Sequence, residues 1–301
     1  MGLGLAEGST ISLVLGSGGA RGLAHIGIIR ELEERGVRIA SIAGCSIGAL
    51  VGGIYAAGKL DEFEEWVCAI NSIDIVRLLD IAWEKNGLVK GDRVMDTLKE
   101  LVGDVMIEDL KIPYTAVATD IARQREVWLN SGPLFDAIRA SVSLPFLLTP
   151  FKFGRSLLID GGVLNPVPIA PTFNDNTDVT IAVNLAGPPV DDPEALRGDD
   201  DDEPEDEEQS VIHRKLNQFI RELQESFNND EEGAELSLYD VGNQAFDTMQ
   251  GTIARQKLAA YPPDYTIEIP RNACGTLEFD LAKPMIALGR ERAIEALGPK
   301  P

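Results

Sequence analysis

RIASIAGCSIGALVGGIYAAG, residues 38–58, changes character at its middle. Residues 38–43 form a short, mostly apolar run that reads as a buried strand. Residues 44–48, Gly-Cys-Ser-Ile-Gly, read as a tight turn, and residues 47–57 as a buried helix closed by Gly58. Residues 39–58 are twenty in a row without a charge and contain Gly48-x-x-x-Gly52, so a membrane-spanning helix is the competing reading. The glycines and the central Gly44-Cys45-Ser46 fit strand, turn and helix better.

The preceding segment has the same grammar. Residues 11–15, ISLVL, read as a strand, and GSGGARG at 16–22 reads as a loop. Residues 20–35 read as a helix with Leu23, Ile26, Ile29 and Leu32 on one face and Gly36 as its stop. Two consecutive strand–helix units imply a parallel sheet in an α/β fold. Further along, helices are expected at 61–79, 92–101, 210–226 and 281–297, and strands at 114–121, 126–130, 156–159, 179–185 and 265–269.

The chain has 301 residues, 44% hydrophobic, enough for a sizeable core, and a formal net charge of −22. Residues 191–208 hold twelve acids against Arg197 alone, a net −11 and half of the total. Such a balance repels phosphate backbones, so nucleic acid is not expected as a partner, and it weakens attraction to anionic membranes. Residues 187–209 are Pro-rich and acidic and read as an exposed, largely disordered insertion. The expected organisation is one domain over 1–301: a core at about 11–186, the insertion at 187–209, and a helical and strand extension over 210–301 that packs on the core. Cys45, Cys68 and Cys274 are too few and too scattered for a disulfide framework or a metal site, and the N-terminus carries no export or lipidation pattern. A cytoplasmic protein is the expectation.

Gly44-Cys45-Ser46-Ile47-Gly48 is a G-x-S-x-G between a strand and a helix, the setting of a nucleophile elbow. It lifts the Ser46 hydroxyl clear at the positive end of a helix dipole; the plainer alternative is a glycine-rich packing turn. Cys45, on the strand side, is read as packing. The loop at 16–22 offers backbone amides to an anion where a helix begins. A dinucleotide loop is disfavoured, because the sixth position from Gly16 is Arg21 and Ser41 and Ala43 stand where an acidic residue should end the second strand. Asp160-Gly161-Gly162 follows the apolar Leu157-Leu158-Ile159, which puts a carboxylate at the carboxyl end of a strand; alone it reads more readily as an ordinary turn.

Together GSGGARG, GCSIG and DGG, with RASVSLPFLLTPF at 139–151 and VLNPVP after the aspartate, resemble the patatin-like phospholipases over residues 12–185. The resemblance implies a three-layer α/β/α fold with a mainly parallel central sheet. It implies a Ser46–Asp160 dyad, an oxyanion site on the amides of Gly18, Gly19 and Ala20 with Arg21 in the family's basic position, and motif glycines at Gly16, Gly22, Gly44, Gly48, Gly161 and Gly162. Ser17 stands where the family usually has a third consecutive glycine. It further implies a lipid or ester substrate, phospholipids or lysophospholipids above all, and peripheral contact with a membrane; no cofactor, metal or nucleotide is expected.

A carboxylate is a weak base for a serine hydroxyl, so such a dyad needs proton transfer concerted with attack and strong oxyanion stabilisation. The rival arrangement is an α/β-hydrolase triad of Ser46, Asp160 and His213 in that chain order. His213 lies in a charged stretch and reads as surface, while His25, the other of two histidines, reads as packing or polar support rather than as a base. Outside lipid hydrolysis, the alternatives are an esterase or thioesterase of small soluble esters and a non-enzymatic lipid- or partner-binding protein.

Overall fold

A computed structural model describes residues 5–70, 91–145, 147–196 and 238–300. Its centre is one eight-stranded sheet: β1 Thr10–Leu15, β2 Arg38–Cys45, β3 Tyr114–Asp120, β4 Arg125–Leu129, β5 Phe151–Phe153, β6 Ser156–Asp160, β7 Val179–Gly187 and β8 Tyr265–Pro270. β3, β2, β1, β7 and β8 run parallel in that order. β4, β5 and β6 pair antiparallel.

The helices are α1 Ala24–Glu34, α2 Ile47–Ala56, α3 Leu60–Ala69, α4 Asp92–Val102, α5 Leu134–Ser141, α6 Leu238–Ala260 and α7 Ala282–Leu297. Alternation along the strands sorts them into layers, because successive side chains point to opposite faces. Leu13, Leu15, Ile181 and Val183 join the main core with residues of α1, α2, α5 and α7. Val14 and Ala182, one residue out of step, pack with Val167, Ile169 and Ala254 of α6 in a second, smaller core. The sheet therefore lies between two helical layers, the three-layer α/β/α arrangement.

β2 and β6 share one edge of β3. β4 covers the other edge along Ala116–Leu129 to Asp120–Arg125, so β2, which pairs with Tyr114 to Val117, and β6, which pairs with Ala118 to Asp120, must lie on the opposite side. They meet there end to end, Cys45 opposite Val117 and Asp160 opposite Ala118.

Several expectations shift in detail. The helix expected at 20–35 opens with a 3-10 turn, Gly19–Leu23, before α1. Residues 39–58 form most of β2 and the ten-residue α2 rather than a membrane span, and among the described residues no helix is long and apolar enough to cross a membrane. The C-terminal part does more than pack on the core, since β8 extends the sheet beside β7. The 71–79 part of the expected helix at 61–79, most of the acidic insertion, and the helix expected at 210–226 with His213 lie outside the described residues.

Candidate active site

β2 ends at Cys45, and Ser46 turns the chain into α2 with φ 55 and ψ −124. A non-glycine residue on the left-handed side of φ is strained, and the surroundings hold it there. The Ser46 amide donates to Ser141 Oγ at 2.9 Å, and Ser141 Oγ donates to the Val117 carbonyl at 2.7 Å, tying the elbow through α5 to β3. Gly48 permits the tight seat of α2, for a Cβ there would lie 2.2 Å from the Leu15 carbonyl oxygen.

Asp160 ends β6 one position along β3 from Cys45. Its continuation passes so close to β3 that a Cβ on Gly161 would lie 2.1 Å from the Val117 carbonyl oxygen. The meeting of the two strand ends brings Ser46 Oγ within 2.5 Å of Asp160 Oδ2, with the hydroxyl donating. Asp160 Oδ1 accepts from the Gly162 amide at 2.7 Å, which fixes the carboxylate's rotation. Asp160 is fully buried, and loss of solvation pushes its carboxyl up to about 6, while the bonds from Ser46 and Gly162 pull the other way. Among the described residues no cation counters the effect of burial on this carboxyl.

The glycine loop borders this site, since Gly19 and Ser46 line the same cleft. Ser17 N–H donates to the Pro166 carbonyl and Ala20 N–H to the Thr276 carbonyl, at 2.8 and 2.9 Å. Among the described residues the amides of Gly18 and Gly19 meet no acceptor. The expected oxyanion set thus splits: Ala20 is engaged elsewhere, and Arg21 turns its side chain from the serine side, its Nε donating to the Gly18 carbonyl at 3.0 Å and Nη1 to the Arg271 carbonyl at 2.8 Å. From Ser46 an apolar cleft of about 170 Å³ runs between α2, α3, α4 and the segment after α5, walled by Leu50, Phe63, Met95, Leu144, Leu147 and Leu148.

The model of the patatin-like phospholipase domain matches residues 13–173. An NTE family protein of Mycobacterium tuberculosis is 37% identical over 338 aligned positions, covering 95% of this chain and 91% of the relative. The chain belongs to the patatin-like phospholipase family. With it, the chain belongs among the ester hydrolases. A lysophospholipase of Candida glabrata is 33% identical over 60% of this chain but only 11% of its own length. Patatin-like phospholipase domain-containing protein 6 of Mus musculus is 36% identical over 58% of the chain and 14% of its own length.

In this patatin-like chain His25 is buried and its Nε2 lies 3.0 Å from the Gly16 carbonyl, to which it must donate. Burial lowers its pKa to about 4, the carbonyl bond opposing, so it stays neutral and braces the loop. Cys45 is buried beneath the elbow, and burial with the nearby Asp160 charge pushes its thiol well up, away from nucleophilic use. Two supports escaped the sequence reading. Ser141 holds the elbow amide, and the Ser143 carbonyl accepts the Asp160 amide at 2.9 Å. Both fall in the RASVSLPFLLTPF stretch, where two serines two apart carry no signal for such a duty.

Proposed function

We propose that this chain hydrolyses carboxylic ester bonds of lipids, in the manner of a phospholipase A or lysophospholipase, with Ser46 as nucleophile and Asp160 as its base. The observation that carries the reading is the 2.5 Å hydrogen bond from Ser46 Oγ to Asp160 Oδ2 at the inner end of a cleft walled by leucines. The cleft takes the acyl chain, burying apolar surface, and leaves the carbonyl carbon over Ser46. Asp160 accepts the hydroxyl proton as Oγ bonds to that carbon, and the Gly18 and Gly19 amides receive the oxygen that becomes negative. As the tetrahedral species collapses, the ester C–O bond breaks and Asp160 returns its proton to the departing alcohol. An acyl ester remains on Ser46. Water, deprotonated by Asp160, then attacks the acyl carbon, and Ser46 regains its hydrogen as the fatty acid leaves. A lysophospholipase relative, similar over 60% of this chain, supports the lipid class.

The test is mass spectrometry of fatty acids released from mixed phosphatidylcholine and lysophosphatidylcholine, wild type beside Ser46→Ala. Release by wild type alone, with an acyl adduct on the Ser46 peptide after a rapid quench, is expected. Equal release by Ser46→Ala sinks the assignment, and turnover of short soluble esters with none of either lipid sinks the lipid class.

A further inference from the structure

The glycine loop has two sides. Gly19 faces the apolar cleft, whereas Ser17 and Arg21 wall a second cavity of about 410 Å³ on the α6 side of the loop. That volume is in the range of small-molecule sites, about 300–1,000 Å³. Arg255 of α6 and Arg271, just past β8, line it with Arg21, Gln250 and Asp247. Arg21, Arg255 and Arg271 against Asp247 give the residues that line it a net charge of +2, in a chain whose total is −22. The one carboxylate, Asp247, stands 3.6 Å from Arg21. Among the described residues neither Arg255 nor Arg271 has an acid within ion-pair distance, and Arg255 rests on Thr252 Oγ1 at 3.0 Å. Arg21 is spent on Asp247 and two carbonyls, whereas Arg255 and Arg271, both exposed, keep their charge without an acid among the described residues, and a guanidinium fork presents parallel N–H donors to tetrahedral or planar oxyanions.

We propose that this cavity binds a small phosphate-bearing anion of the phosphomonoester class, and that its occupancy is transmitted to the oxyanion loop. The charge fits the class: a phosphate near neutral pH carries about −1.5 to −2, matching the cavity's excess, where a monocarboxylate leaves it half unbalanced. The route to the loop is two hydrogen bonds long. Arg21 Nε donates to the Gly18 carbonyl at 3.0 Å, and Gln250 Nε2 donates to Ser17 Oγ at 3.2 Å. An anion that draws Arg21 or Gln250 toward the cavity centre shifts the peptides of the loop to which Gly18 and Gly19 belong, and Gly19 lines the same cleft as Ser46. The binding part stands apart from the hydrolase reading; only the coupling part rests on it.

Isothermal titration of the full chain with inorganic phosphate, glycerol 3-phosphate and acetate tests the binding, in wild type, Arg255→Gln and Arg271→Gln, each variant checked for wild-type circular dichroism. Both phosphates are expected to bind and acetate to bind at least tenfold more weakly. Each variant should lose tenfold or more in phosphate affinity, the worth of a charge-assisted hydrogen bond. Arg255→Lys should restore part of the loss. Vesicles of phosphatidylcholine with or without phosphatidic acid form the second arm: binding that needs phosphatidic acid, and is lost in the variants, assigns the phosphate to a lipid headgroup. No binding of phosphate in either form up to about 10 mM, acetate binding as tightly, or unchanged affinity in both variants overturns the site. The rate at which a fluorophosphonate labels Ser46 reads the coupling, with at least a twofold change expected on saturation with phosphate in wild type and none in Arg271→Gln. Phosphate bound without any change in that rate overturns the coupling and leaves the site.

Discussion

The turn at Ser46 and the turn at Asp160 stand one residue apart on the same edge of β3, yet they bear different burdens. Ser46 sits at φ 55, so the cost of presenting the proposed nucleophile lies in the backbone. Asp160 has relaxed dihedrals, φ −47 and ψ 133, and its cost lies in burial, which holds a carboxyl up to about 6. One residue is bent and the other is desolvated. Geometry should therefore be the sensitive property of the first turn and pH that of the second.

The largest break in this contrast comes from removing either partner. Ser46→Ala and Asp160→Asn should each lower kcat by about 10⁴-fold or more, read with a nitrophenyl ester, as when members of a catalytic unit are removed singly. Gly19→Ala should cost about 10²- to 10³-fold. Its φ is +59 and a Cβ would lie 2.5 Å from the Thr276 carbonyl oxygen, so the loop must move its amides; an unchanged rate would remove the loop from the chemistry.

Stability sharpens the same comparison. Between pH about 4 and 6 the folded chain holds a proton on Asp160 that the unfolded chain has lost, so this group weakens the fold as pH rises. At neutral pH the penalty is about 3 kcal/mol, two units at 1.36 kcal/mol each, and Asp160→Asn should recover much of it in urea unfolding. His25 acts in the opposite sense. Its folded pKa of about 4 lies below 6.5, so its contribution is complete above pH 6.5 and lost as pH falls through 4, again by about 3 kcal/mol. The two slopes nearly cancel in wild type. Asp160→Asn should uncover the His25 slope, so that stability drops more steeply between pH 6 and 4 than in wild type; parallel curves would mean that one of the two shifts is wrong. The smallest effect is on rate: below pH about 6, kcat/KM should fall tenfold per unit as Asp160 takes up its proton, and Ser46→Cys should not abolish that limb.

Much of this was legible in the chain itself. The strand–loop–helix units around 11–35 and 38–58 show their periods plainly, and the structure keeps them apart from a 3-10 turn at Gly19–Leu23. α6 gave no such signal. Val241 and Met249 are exposed while Gln250 and Ala254 are buried, so its apolar residues trace no single stripe. The cleft was equally hidden, because Leu144, Leu147 and Leu148 sit in a segment without regular period and gain meaning only from facing Leu50 and Met95. Nor could spacing show that the ends of β2 and β6, 114 residues apart at Ser46 and Asp160, abut on one strand. Such pairing is a property of the sheet, settled by long-range register rather than local pattern. The free amides narrowed for a like reason: Ala20 lost its candidacy to Thr276, 256 positions away.

That abutment has a mechanical consequence. Val117 and Ala118 are joined by one peptide bond, so the spacing between the ends of β2 and β6 is gauged by covalent geometry, not by the settling of two layers against each other. Helices may shift over the sheet, and the cleft may widen or narrow around a guest, while the gauge stays fixed. What it does not tolerate is a slip: moving either strand by one residue against β3 opens the gap by about 3.3 Å and turns its side chains to the opposite face. The site is thus built like an instrument with a single reference edge, forgiving of looseness everywhere except along that edge.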